Sequence, residues 1–157
     1  MKNRSCRYGA PPLSTAHPLT FAVEASPDDA TIKAISDGLD AFNIRQVGPA
    51  DWAHRFVVGR DGAGVVQAGM SIVVAYEWVF VRWLWVAEPF RNKGIGSRLL
   101  ERAEALARES GCRGVYLDTF TFQAPKFYER HGYREFGRLD DFPSGHSRIW
   151  LAKRFPV

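Results

Sequence analysis

The chain has 157 residues, 46% of them hydrophobic and 24% charged, the balance of one globular domain with a full core. The formal net charge is +4, but residues 1–18 supply Lys2, Arg4 and Arg7 without an acid, leaving 18 Lys+Arg against 17 Asp+Glu. A near-neutral remainder argues against a nucleic-acid binder, which needs a basic face on its folded part. No apolar run approaches the roughly 20 residues of a membrane span.

Residues 1–18, with Gly9, Pro11, Pro12 and Pro18, read as a flexible leader. They lack the apolar stretch of a secretory signal. Residues 19–157 then read as a single domain. Cys6 and Cys112 are too far apart in sequence to suggest a disulfide framework, which favours the cytoplasm. Leu19 to Ala25 alternates weakly and suggests a first strand. Ser26-Pro27-Asp28-Asp29 reads as a helix start, with Ser26 as N-cap and Pro27 at the first helical position. Ile32, Ile35, Leu39 and Phe42 continue that helix at spacings of three and four.

Arg55 to Arg60 and Val65 to Ala75 read as antiparallel strands around the turn Asp61-Gly62-Ala63-Gly64, with a bulge suggested at Gly69. Tyr76-Glu77-Trp78 links them to a β-prone run, Phe80 to Val86, which Pro89 stops. A helix pattern begins at Ile95 and continues through Leu99, Leu100, Ala103, Leu106 and Ala107, with Glu104 and Arg108 in the favourable i,i+4 order and Gly111 ending it. Gly114 to Thr119 is the next strand, expected parallel to the Phe80 run because a helix intervenes. Gln123 to His131 reads as a short helix ended by Gly132, and Tyr133 to Gly137 as a strand. Arg138 to His146 reads as a loop, and Ser147 to Lys153 as the closing strand.

The informative junction lies between the Phe80 run and the Ile95 helix. Arg91, Asn92, Lys93, Gly94, Ile95, Gly96 and Ser97 form a basic, glycine-containing turn that opens a helix. The first N–H groups of a helix have no partner within it and carry partial positive charge. Glycines let a bulky anion approach them, so the stretch outlines a phosphate cradle. The P-loop spacing is absent, and the third glycine of the dinucleotide fingerprint is replaced by Leu99.

What remains is Arg-x-x-Gly-x-Gly at Arg91, Gly94 and Gly96, preceded by Leu84, Val86 and Pro89. It resembles the acetyl-CoA motif of the GCN5-related N-acetyltransferases. A second segment, Ala124 to Tyr133 with Tyr128 and Gly132, resembles the family's Ala-x-x-x-Tyr-x-x-x-Gly-Phe/Tyr. The resemblance covers roughly residues 65 to 153 and is strongest at 84 to 137. It implies an α/β fold with one mixed sheet of six to seven strands, two parallel strands splayed apart, and about four helices. It also implies pantetheine along the backbone of Leu84, Trp85 and Val86, and pyrophosphate on the amides of Arg91 to Ser97. Tyr128 would be the general acid toward the leaving thiolate; read alone, it would be a packing tyrosine.

The partners implied are acetyl-CoA and an amine acceptor, with no metal, nucleic acid or membrane, and a homodimer left open. Two positions depart from the family pattern. Thr121 replaces an asparagine that contacts pantetheine in many members, and Tyr116 stands where some carry a glutamate base. Asp118, two residues on, points to the same face and either serves through water or is structural. The acceptor should meet the first helix, the Tyr76 to Trp85 region and the Arg138 to His146 loop. Their acids are Asp37, Asp40, Glu77, Asp140 and Asp141, though as turn residues Glu77, Asp140 and Asp141 would simply be solvated. Aromatic walls with acids suit a small cationic amine. The alternatives are a CoA-binding sensor or a protein-modifying enzyme. Trp78, Trp83 and Trp85 would line the acceptor pocket or, as alternating strand aromatics, sit in the core. His17, His54, His131 and His146 show no metal spacing and read as surface residues, and Cys112 reads as buried and inert.

Overall fold

The computed structural model describes residues 19–50 and 52–156. The leader, Cys6 and His17 lie outside them. The chain separates into two units, dividing between Gly48 and Pro49.

Among its described residues, the first unit holds one helix, α1 (Asp29–Val47). Its N-cap is Asp28 rather than Ser26: Asp28 Oδ1 accepts the Thr31 N–H at 2.7 Å, and these bonds hold the carboxyl below its ordinary pKa. Pro27 therefore precedes the helix instead of occupying its first position. Gly48, at φ +81°, closes the far end by donating to the Ile44 carbonyl. Leu19 to Ala25 is not a strand; none of the sheet's ladders includes it, and weak alternation without a hydrogen-bonding neighbour does not make one.

The second unit is a six-stranded sheet: β1 (Ala53–Arg60), β2 (Val66–Ala75), β3 (Trp78–Val86), β4 (Gly114–Phe120), β5 (Arg134–Asp140) and β6 (Ser147–Arg154). They lie side by side as β1-β2-β3-β4-β6-β5, and only β3 and β4 run parallel. Asp61 organises the first hairpin, its Oδ1 accepting the Ala63 and Val65 N–H groups. Tyr76 and Glu77, both at positive φ, make the two-residue turn of the second hairpin. Gly69 is not a bulge; it pairs regularly with Val58 and Trp85. The irregularity falls two residues later. Ser71 pairs with Trp83 while Ile72 pairs with Val81, leaving Arg82 as the extra residue.

Helix α2 (Ile95–Glu109) connects β3 to β4 and lays Leu99, Leu100, Ala103 and Ala107 on the sheet. There they meet Ile72, Val79, Val81, Val115, Leu117, Ile149 and Leu151, which together form the core. Cys112 is buried at the helix's end, and its burial pushes the thiol pKa up, which keeps it unreactive. Helix α3 (Pro125–Arg130) is one turn and a half between β4 and β5, ended by Gly132 at φ +85°. β5 runs three residues beyond the expected Gly137, with Phe136 as an extra residue in its pairing with β6. Asp140 accepts from the Ser147 hydroxyl at 2.7 Å, which holds that end of the strand in the sheet.

One ion pair lies within the core's edge. Glu104, 6% exposed on α2, takes both oxygens to Lys153 Nζ at 2.8 and 2.7 Å, with Arg108 farther off at 3.4 Å. Lys153→Met removes the nearer cation and leaves a buried carboxylate with the weaker partner. The expected loss is about 2 kcal/mol of stability, below the full cost of an orphaned buried charge because Arg108 remains. Urea unfolding measures it, and Glu104→Gln in the same chain should return part of the loss. A single variant as stable as the wild type would show that the pair contributes nothing.

Candidate active site

The site begins where the parallel strands part. β3 and β4 pair from Trp78–Gly114 to Val81–Leu117, and there the ladder between them stops. Beyond it β3 remains paired with β2, and β4 with β6. The bulge at Arg82 sits at the parting point and turns β3 away. The inner edges of residues 82–86 and 118–119 thus face a cleft of about 910 Å³.

Leu84, Trp85 and Val86 line one wall. A single 3-10 turn, Glu88–Phe90, carries the chain past Pro89 into the glycine turn. Asn92 (φ +58°) and Gly94 (φ +76°) both adopt the left-handed conformation there. At Gly94 the requirement is purely conformational, since an added Cβ would meet nothing within 4 Å. Arg91 Nε donates to the Val86 carbonyl at 3.0 Å and ties the turn to the strand. Helix α2 starts without a side-chain cap, and its first backbone bond runs from Arg98 N–H to the Gly94 carbonyl. The N–H groups of Ile95, Gly96 and Ser97 therefore have no partner within the helix, and these residues line the cleft. A Cβ on Gly96 would press the Phe127 ring at 3.3 Å, so this glycine is there for space.

The other wall comes from β4 and α3. Tyr128 lines the cleft while its ring packs edge-on to Phe127 and Tyr133. Burial, and secondarily the Asp118 carboxylate, push its phenol above the ordinary tyrosine pKa, so it stays protonated. Gln123 staples the end of β4, its Oε1 accepting from Thr119 Oγ1 and the Phe120 N–H, both at 2.9 Å. His131 is not a free surface residue. Its Nδ1 donates to the Phe127 carbonyl at 2.8 Å, and its Nε2 meets the Ser97 hydroxyl at 3.0 Å, joining α3 to the first turn of α2. No sequence signal marked this role, because it depends on two segments 34 residues apart.

Leu84, Trp85, Val86, Arg91, Asn92, Gly94, Ile95, Gly96, Ser97 and Tyr128 are thus brought together around one cleft. Lys93 is off its wall, with Nζ 5.7 Å from the Phe90 ring. Thr121 is also outside: its N–H donates to the Ser147 carbonyl and its Oγ1 accepts from the Ser147 N–H. Trp83 and Trp85 are 61% and 50% exposed and are cleft residues, not core. Glu77, at the opposite end of β3, pairs with Arg113 at 2.6 Å and does not reach the cleft. Tyr116 stacks on Phe80 at 4.8 Å, and its phenol is also raised by burial, so it is no base at neutral pH. Asp118 lines the cleft and accepts from Arg148 Nε at 2.7 Å. Among the described residues, no three His, Cys, Asp or Glu side chains cluster as a metal site.

The family model described as the acetyltransferase (GNAT) domain matches residues 52–135, which include β1 to β4, the glycine turn and Tyr128. The chain belongs to the GCN5-related N-acetyltransferase family. It is an acyltransferase. An acetyltransferase of Agrobacterium fabrum is 36% identical over 137 residues, 87% of this chain and 100% of that one. The blasticidin-S acetyltransferase of Streptomyces morookaense is 44% identical over 91 residues, 57% of this chain and 67% of that protein. Among solved structures, an acetyltransferase of Bacillus cereus superposes with a TM-score of 0.78 at 32% identity, covering 86% of this chain and 98% of that one. The fold described above is therefore shared with solved acetyltransferases.

Proposed function

We propose that this N-acetyltransferase takes its acetyl group from acetyl-CoA and moves it directly to a small-molecule amine in the cytoplasm, with residues 19–157 acting as one domain. One observation carries the reading. A single cleft holds an open strand edge, a glycine-lined helix start with unpartnered amides, and a protonated tyrosine. Those are a hydrogen-bonding edge for pantetheine, a cradle for pyrophosphate and an acid for the departing sulfur.

The amine nitrogen forms its bond to the acetyl carbon, the carbon–sulfur bond breaks, and the sulfur takes a proton from Tyr128. The amine's own proton leaves to water, since Tyr116, a neutral phenol, is no base for it. No nucleophilic serine or cysteine is called on. The Streptomyces relative is named as a blasticidin-S acetyltransferase, and that name supports a small acceptor over a protein.

Arg91→Glu sets a carboxylate beside the pyrophosphate position and releases the turn from Val86. Gly96→Asp presses Phe127 and brings negative charge to the helix start. Each should weaken CoA binding on the order of tenfold or more in calorimetry. Wild-type affinity in both would move the cofactor site elsewhere.

A further inference from the structure

The acceptor end of the cleft carries charges that the transfer chemistry does not use. Arg82 is the extra residue of the β3 bulge, and Asp118 is the first residue of β4 beyond the last parallel pair. They stand on adjacent strands at the point of parting, and both line the cleft. Asp118 gives only Oδ2 to Arg148. Arg148 is itself fixed, lying 5.5 to 5.9 Å from the rings of Phe120, Phe142 and Trp150. Asp118 is thus held in place with its second oxygen unengaged by any described residue. Arg82 has no hydrogen bond or ion pair among the described residues; its guanidinium rests 4.9 Å from the Trp83 ring. Trp83 and Phe122 add apolar surface to the same cleft.

An anion and a cation on the two parting strands of an aromatic cleft match a ligand with the opposite pair. We propose that Arg82 and Asp118 form an acceptor subsite for an amine that also bears a carboxylate, as amino acids with an apolar body do. Asp118 takes the amine end, which gives up its ammonium proton to water before it attacks, and Arg82 takes the carboxylate. The subsite rests on the acetyltransferase reading above and names its acceptor class. Asp118 and Tyr128 line the same cleft, which puts an amine held there on the side of the departing sulfur. Bulges re-aim single side chains beside active sites, which accounts for an arginine at this break in pairing.

The test uses matched pairs: phenylalanine with phenethylamine, tryptophan with tryptamine, methionine with 3-methylthiopropylamine. Free CoA is followed over a range of each amine. The wild type should favour the carboxylate-bearing member in kcat/KM by about tenfold or more, the worth of a charge-assisted hydrogen bond. Arg82→Met should collapse that ratio, and Arg82→Lys should restore part of it. Asp118→Asn should raise KM for both members of a pair alike. A wild-type ratio near one, a preference that survives Arg82→Met, or no turnover on any pair while acetyl-CoA binds normally would each overturn the subsite. Absence of acetyl-CoA binding to the wild type would instead overturn the reading beneath it.

Discussion

Tyr128→Phe should lower kcat by roughly 10²-fold or more while acetyl-CoA affinity stays close to wild type. The substitution keeps the ring packed against Phe127 and Tyr133 and removes only the hydroxyl. If the phenol protonates the departing sulfur, that loss falls on the transition state and not on the bound ground state. The pH profile carries a second signature. Burial and Asp118 hold the phenol above its ordinary pKa, so the acid form is present throughout the neutral range. It is lost only as pH climbs past the ordinary tyrosine value of about 10, and no alkaline fall from Tyr128 is expected below that. Stopped-flow release of CoA, in a regime limited by chemistry, reads both. An unchanged kcat would leave Tyr128 as a packing residue.

Gly114→Ala should cost about 3 kcal/mol of stability. Gly114 opens β4 and is paired on both sides, with Trp78 and with Arg154. A Cβ there would overlap the Lys153 carbonyl, meet the Trp78 ring at 2.9 Å and approach Arg154 Cα at 3.1 Å. Two of the three obstacles are backbone of β6, so no rotamer change relieves them, and β4 must shift away from its neighbour. The position is at the end of β4 opposite the cleft. The folded fraction should therefore keep its CoA affinity while the urea midpoint drops. A midpoint equal to that of the wild type would mean that the sheet absorbs a methyl group at no cost.

The glycine-turn wall of the cleft was legible in the sequence because it is local. Residues 84 to 97 form one continuous strand, turn and helix start, and the types they require (glycine at φ +76°, glycine under Phe127) have few substitutes. Tyr128 was legible through its own short segment. The proposed acceptor end was not, because it is assembled by register. Arg82 acquires its position from a bulge whose other half is Ser71 and Ile72. Asp118 acquires its fixed orientation from Arg148, 30 residues on. Local pattern likewise misplaced the bulge at Gly69 and took three residues of β5 for loop, since Asp140 is held by Ser147 across the hairpin. At α1 the cap fell two residues beyond the expected Ser26, on Asp28, because it is the Asp28 carboxylate that reaches the Thr31 amide.

β3 and β4 share only four register pairs, yet they are the seam between two antiparallel halves, β1-β2-β3 and β4-β6-β5. A pantetheine arm laid along the open edge would supply hydrogen-bonding partners where the chain has none. The cosubstrate then acts as a removable strand, and folding and loading become one linked equilibrium. At a ligand concentration a hundredfold above its Kd, mass action adds about 2.7 kcal/mol to the folded state. In a cell that keeps this thioester abundant, the protein's working stability is set partly by metabolism. Substitutions that weaken the core would be tolerated there and exposed when the thioester pool falls.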